Sequence, residues 1–377
     1  MKHIHNTSRI LLGILFIFSG FVKGIDPIGV SYKFIEYLDA WHLEFLVPIA
    51  LLLACLLCLV EFGLGIALLT HVWHRAVAWK VMALMCFFTI TTLISALTNP
   101  ITDCGCFGDA IKLGNWETFY KNIFFLILAA IHLFASLKYR GTSAHYCMKK
   151  IATIIAIAAF GGFMWYSYTY LPIIDFRPYH EGANIIEGMQ VPKGAPADEY
   201  KNTFIYENLK TGKQQEFDET NYPWQDTLNW KYMDMQSTLI KKGYEAPIRD
   251  FYIMTNDAED VKDFFLYDEL PTFMFISTHI KDAKWKQTAK LQDIIKYCDE
   301  KQMSFIGLTA SSIDTATNLA SSKGLKIEFF NCDEITLKTM IRSNPGLILI
   351  QHGTILKKWS INEIPDRKEI ISILDKK

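Results

Sequence analysis

The chain reads as an α-helical membrane bundle of five spans followed by an α/β domain on the far side of the membrane. Three observations carry this expectation. Long apolar runs are confined to the first 170 residues or so, the charges of the connecting loops alternate in character, and strands and helices alternate regularly from residue 271 onward. The overall hydrophobic content of 51% and the mean hydropathy of +0.15 average over these unlike halves, which length alone would already allow to be separate domains. A formal net charge of -1 supplies no basic field for counterion release, so nucleic-acid binding is set aside.

Crossing a hydrocarbon layer takes roughly 20 apolar residues in a helix, because lipid offers backbone groups no partner. Five segments meet this, at about 9–25, 46–70, 75–98, 118–137 and 150–170. The first resembles a signal peptide in having Lys2 and Arg9 ahead of an apolar stretch, but Lys23, Asp26 and Pro27 follow it with no small-x-small cleavage pattern, so it is kept as a span. The 71–80 connection carries Arg75 and Lys80 without an acid, and 138–150 carries Lys138, Arg140, Lys149 and Lys150. The positive-inside rule places both in the cytoplasm. Residues 26–45 and 99–117 then face outward, and an odd number of spans sends the C-terminal half outward as well. The expected location is a bacterial inner membrane, with a cytoplasmic N-terminus and a periplasmic C-terminal domain.

Two of the eight cysteines, Cys104 and Cys106, lie in the outer loop "TDCGCFGD". A disulfide across C-x-C closes a very small ring, and strain of that kind makes the bond easily reduced. Gly105 and Gly108 give the backbone the freedom such a tight loop needs. Cys55 and Cys58 form C-x-x-C in the second span, roughly 14 Å from its outer end for Cys55 at about 1.5 Å per residue. Spacing of i, i+3 puts them on one helix face, able to pair only if the helix is distorted. They read equally as packed apolar thiols. Glu61, one turn beyond Cys58, is an acid inside a span. It is there either to handle protons or to bond another helix. His71 and His74 read as interfacial, and no metal site is expected.

Residues 172–270 are rich in turn signals, with short alternating runs such as "NTFIYENL" and "RDFYIMT" that read as strands of a β-rich extension. From 271 the order is strand "PTFMFIS", helix "DAKWKQTAKLQDIIKYCDEK", strand "MSFIGLT", helix "SIDTATNLASSKG", strand "LKIEFFN" and helix "DEITLKTMIRS". A hairpin turning at His352-Gly353 and a last helix complete it. This predicts a mixed α/β sheet, and the order resembles the thioredoxin fold. In "SNPGLILIQHGTILKKW", Pro345 matches the cis-proline position before that fold's terminal hairpin, a structural and partner-binding position. The family's C-x-x-C site reads "STHIKDAKWKQ" here, without cysteine, so ordinary dithiol exchange is not expected at it. Cys298 and Cys332 are left as either core thiols or a disulfide pair.

The stretches "RILLGILFIFSGFVKGIDPIG", "LVEFGLG" and "TDCGCFGD" resemble the DoxX-like and MauE (methylamine utilisation) membrane proteins over residues 1 to about 140. The fifth span and exported thioredoxin-like domain resemble the architecture of Bacteroidetes-type DoxX proteins. The resemblance implies a four-helix core at 1–140, a fifth span at 150–171, an extension at 172–270 and a thioredoxin-like domain at 271–377. It implies Cys104 and Cys106 as a redox dithiol and Glu61 as a membrane-embedded acid, and leaves Cys55 and Cys58 open. The function expected is a thiol-disulfide oxidoreductase or electron-transfer protein acting on exported client proteins, with a quinone as candidate acceptor. Other membrane-complex subunits are candidate partners. The alternative is a non-enzymatic anchored assembly protein whose thioredoxin-like domain recruits a partner.

Overall fold

The structure is a computed structural model that describes residues 2–99, 105–138, 145–241 and 243–375. Contacts divide the chain into two compact units. One comprises the residues up to Ala183 together with those from Phe251 on, and the other comprises 184–250.

In the larger unit, α1 (Lys2–Ile25), α3 (Ala50–Thr70, led in by a 3-10 turn over Glu44–Ile49), α4 (His74–Thr98), α5 (Asn115–Lys138) and α6 (Tyr146–Thr169) are each long and apolar enough to cross a membrane. The chain is thus a multi-pass membrane protein. Between α1 and α3 the sequence reading had only a loop, but the structure has a helix there, α2 (Pro27–Ala40). The reason was visible locally: Asp26 accepts from the N–H of Gly29 at 2.9 Å as an N-cap, and Pro27 occupies the first helical position.

The tightest helix pair is α1 with α3, and glycines set its spacing. A methyl group on Gly20 would lie 2.6 Å from the backbone N of Phe62, and one on Gly65 would lie 2.6 Å from the backbone N of Ile17. Without a hydrophobic drive between helices in lipid, close backbone approach of this kind supplies the packing. It also lets side chains on the two helices meet end to end.

The smaller unit contains a short helix, α7 (Ile185–Met189), and a three-stranded antiparallel sheet of β1 (Glu199–Asn208), β2 (Gln214–Phe217) and β3 (Trp230–Lys241) in the order β2-β1-β3. Tyr206, Phe217, Trp230 and Tyr232 form edge-to-face ring pairs across it, at centroid distances of 5.0 to 5.9 Å.

Beyond it, the larger unit resumes with α8 (Lys262–Leu266), β4 (Thr272–Ser277), α9 (Thr288–Lys301), β5 (Ser304–Thr309), α10 (Ile313–Ser322), β6 (Glu328–Asn331), α11 (Glu334–Met340), β7 (Gly346–Gln351), β8 (Thr354–Ser360) and α12 (Arg367–Leu374). The sheet order is β6-β5-β4-β7-β8, with β4, β5 and β6 parallel and β7 and β8 antiparallel to their neighbours. This is the thioredoxin-like arrangement expected from the sequence. Every residue of β4 is buried, as a central strand covered on both faces requires. Phe273 and Phe275 pack with Leu291, Ile294, Ala316 and Ile370 on the face covered by α9, α10 and α12. The Asn344–Pro345 peptide is cis, and the hairpin turns at His352 and Gly353, both at positive φ.

Two expected elements differ. The helix placed at "DAKWKQ" begins only at Thr288, because the N–H of Lys284 is taken by the carbonyl of Asn344 at 3.1 Å, which holds the preceding residues off helical geometry. "RDFYIMT" forms no strand. It meets the sheet at one bridge, Met254 with Asn331 on β6.

Cys298 and Cys332 are free, buried thiols and not a disulfide. Burial, reinforced by Asp299 and Asp333 respectively, pushes both up to about 12. At pH 8 only about one in ten thousand would be thiolate, the reactive form. A water-soluble maleimide should therefore leave both unlabelled in the folded protein at pH 8 and label both after denaturation, read by peptide mass spectrometry.

Candidate functional site

Lys23 comes from the end of α1 and Glu61 from the middle of α3, where the glycine-spaced helices run closest. The ammonium donates to both carboxylate oxygens, at 2.6 and 2.8 Å, and both residues are buried, Lys23 at 5% exposure and Glu61 at 0%. Lys23 also lies 5.6 Å from the ring centre of Phe88 on α4. Of the two roles open for Glu61, the structure supplies a charged interhelical partner. That partner, Lys23, enters the sequence reading only as evidence against signal cleavage and is the site residue it misses. Glycines in its neighbourhood and an acid in the next span were the signals available.

The loop after α4 folds back onto this pair. Gly105 and Gly108 both have positive φ, and the Gly108 N–H donates to the Gly105 carbonyl at 3.0 Å, making a tight turn around Cys106. The Ser19 hydroxyl on α1 donates to the Cys106 carbonyl at 3.1 Å. Phe107 is wedged between Phe18, at 5.4 Å edge to face, and the ammonium of Lys121, 4.2 Å from its ring centre. A cavity of about 40 Å³ is lined by Ser19, Lys23, Glu61, Cys106, Phe107 and Asn122 among others. Cys106 and the ion pair thus share one small space. Cys104 lies outside the described residues.

Cys58, one turn from Glu61, is fully buried, whereas Cys55 is half-buried against a cluster that includes Phe160. Both are free thiols on an unbroken helix.

A second ionic contact joins this end of the bundle to the thioredoxin-like domain. Arg342, which immediately precedes Ser343-Asn344-Pro345, donates to Asp26 at 2.8 Å, lies 3.6 Å from Asp109 of the cysteine loop and also donates to the Lys338 carbonyl. Its guanidinium sits 5.2 Å over the ring of Tyr32 on α2, and it is 8% exposed. Pro345 therefore belongs to a segment seated against the membrane half. The β4–α9 junction, where a C-x-x-C would stand, is stitched to the same segment. Ser277 donates to the Asn344 side chain at 2.8 Å, and the Asn344 side chain donates to the His279 carbonyl at 3.1 Å.

At the opposite end of the bundle, His5, His71, His74 and His132 gather from four helix ends. His5 stacks on His132 at 5.0 Å, His5 meets His71 at 5.8 Å, and His71 meets His74 at 5.6 Å. Sequence reasoning had left His71 and His74 at an interface and did not foresee the group. Among the described residues no three His, Cys, Asp or Glu side chains are placed to hold a metal ion.

Residues 1–135 match the family of the methylamine utilisation protein MauE, so the first four spans and the cysteine loop are MauE-like. Residues 200–242, the three-stranded sheet, match a domain family of unknown function. Among solved structures, the chain is similar to the C-terminal domain of a protein assigned as a thiol-disulfide oxidoreductase from Bacteroides thetaiotaomicron. Identity is 17%, coverage 34% of this chain and 93% of that one, and the TM-score 0.28. A protein assigned as a protein disulfide isomerase from the same organism is similar at 14% identity over 33% of this chain and 82% of that one, TM-score 0.25. No curated protein matches the chain.

Removing one member of a buried ion pair strands the other charge, at a cost of about 3–5 kcal/mol, whereas removing both is far milder. Lys23→Met and Glu61→Gln should each destabilise the protein by that order in denaturant titrations. The double variant should recover at least half of the loss, which a simple sum of two packing defects would not do.

Proposed function

We propose that this chain is an inner-membrane thiol-disulfide oxidoreductase acting on exported proteins, with Cys104 and Cys106 as its reactive pair. The setting of Cys106 carries the reading: a tight glycine turn holds it at a cavity shared with a buried Lys–Glu pair, at the membrane end that bears the soluble domain. The positive-inside pattern supports the periplasm as that side.

In the exchange, a client thiolate attacks one sulfur of the Cys104–Cys106 disulfide, and the S–S bond breaks to give a mixed disulfide and one loop thiolate. A second client thiol, deprotonated, then attacks the mixed disulfide. The client leaves with a disulfide, and the loop retains two electrons as a dithiol with the client's two protons. Lys23, held by Glu61, lines the same cavity as Cys106 and has one N–H beyond its two bonds to Glu61 to offer a loop thiolate. The reverse sequence reduces a client. The thioredoxin-like domain, without cysteines at its usual site, caps the loop through Arg342, and clients reach the dithiol beside it.

The electron acceptor expected from the sequence was a quinone. The cavity at Cys106 has room for about one to three waters, and a quinone ring does not fit it, so the residues here assign the quinone no step.

One observation favours a second reading. Arg342 and the sealed β4–α9 junction use the face that would meet a client to hold the two halves together, as a non-enzymatic assembly protein would. The two separate experimentally. In cells carrying Cys104→Ser or Cys106→Ser, acid trapping and alkylation should show exported dithiol proteins shifted in redox state. Each single variant should also trap a mixed disulfide formed when its remaining thiolate attacks a client disulfide, the first step of the reverse sequence. An unchanged redox state with no trapped adduct sinks the oxidoreductase reading.

A further inference from the structure

A second and larger cavity lies where α6 runs into the thioredoxin-like domain. Its volume is about 580 Å³, within the range of roughly 300–1,000 Å³ usual for small-molecule sites. One wall is apolar and aromatic: Tyr166 and Tyr170, 4.8 Å apart between ring centres, then Ile173 and Ile174. The helix end that supplies it also exposes Trp165 and Tyr168, the aromatic girdle that marks a lipid–water boundary. The rest of the lining is charged and comes from the segment after α6 (Asp175, Arg177 and Glu181), from β8 (Lys357 and Lys358), and from Glu363 and Glu369 beyond it.

The charged wall is a built site. Lys358 has a side chain only 3% exposed, and its ammonium donates to Asp175 at 2.7 Å and to the Tyr179 carbonyl at 2.9 Å. An ammonium has three N–H groups, which leaves one for an occupant of the cavity. Arg177 beside it is engaged with Asp175 and with the Thr339 carbonyl. Burial, then the charge of Arg177, brings Lys358 down to about 8, so it still carries its proton at neutral pH. Glu363, also in the lining, presents an exposed carboxylate. Glu181 and Glu369 add two more acids, one bonded to Lys357 and the other accepting from the Trp359 indole.

We propose that this cavity binds the headgroup of a zwitterionic aminophospholipid of the phosphatidylethanolamine class. The phosphate takes the free N–H of Lys358, the ammonium is held by Glu363, and the acyl chains run down the α6 face past Tyr166. The position at the end of a span selects a lipid over a soluble ligand. The mixed charge selects the class. Of the four carboxylates in the lining, Asp175 is held by Lys358 and Arg177 and Glu181 by Lys357, which leaves Glu363 exposed to a headgroup; an anionic lipid has no ammonium to meet it, and a choline headgroup has no N–H to donate to it.

The test is native mass spectrometry of the full chain, delipidated in detergent and offered equal amounts of phosphatidylethanolamine, phosphatidylcholine and phosphatidylglycerol with identical acyl chains. The expected result is one retained lipid, with phosphatidylethanolamine favoured at least tenfold over either competitor. Glu363→Gln, an exposed change that leaves the fold alone, should reduce the preference over phosphatidylcholine to less than twofold. Lys358→Met should abolish retention. Equal retention of all three lipids, a preference for phosphatidylglycerol, or an unaltered preference in Glu363→Gln would overturn the proposal. Displacement of the lipid by millimolar phosphoethanolamine would overturn it too, since it would reveal a site for soluble phosphate esters.

Discussion

The ion pair between Lys23 and Glu61 is the constraint around which the membrane half is arranged. Two charges inside a bilayer are costly unless each meets the other directly, and direct contact requires the two backbones that carry them to lie close. Glycines at the α1–α3 crossing provide that approach, with no room for a single methyl group at Gly20 or Gly65. Once the pair forms, the apolar lining of the bundle cannot close completely over it. The small cavity left beside it is where the cysteine loop settles, anchored by Ser19 and Phe107.

The same logic accounts for the seating of the soluble domain. Asp26 serves twice, as the N-cap of α2 and as the partner of Arg342. The cap therefore fixes the carboxylate that the arginine needs, and Tyr32, further along α2, provides the ring beneath the guanidinium. The segment that carries Arg342 and Pro345 is committed to this contact, and the β4–α9 junction bonded to it carries no cysteine.

Much of this was legible in the sequence, for physical reasons that differ by region. Spans follow from length and hydropathy, which lipid enforces residue by residue. The order of strands and helices after residue 271 follows from period and turn chemistry, with Pro345 as its clearest marker. What escaped was whatever depended on partners far apart in the chain. Lys23 looked like a flanking charge because its partner is 38 residues away, and Arg342 looked like the end of a helix because its partner is 316 residues away. The helix at 27–40 escaped for the opposite reason. Its apolar content was too low for a span, and its cap and proline were read as a loop. The histidine group needed four helix ends to be brought together before it existed at all.

The geometry also narrows how electrons could travel below the loop. Side chains at i and i+3 on a helix have Cβ atoms about 5–6 Å apart, whereas a disulfide needs roughly 3.5–4.5 Å. The α3 helix is continuous from Ala50 to Thr70, so Cys55 and Cys58 could pair only by breaking backbone hydrogen bonds in lipid, where no water would replace them. A stepwise relay from a loop disulfide to a disulfide within the span is therefore disfavoured by the helix itself. Cys58 stands one turn from the Lys23–Glu61 pair and Cys55 does not share that burial, so the two thiols are not equivalent. On the proposed function, two-electron chemistry therefore stays on the loop, and any role for Cys58 would have to be exercised toward Cys106 and not toward Cys55.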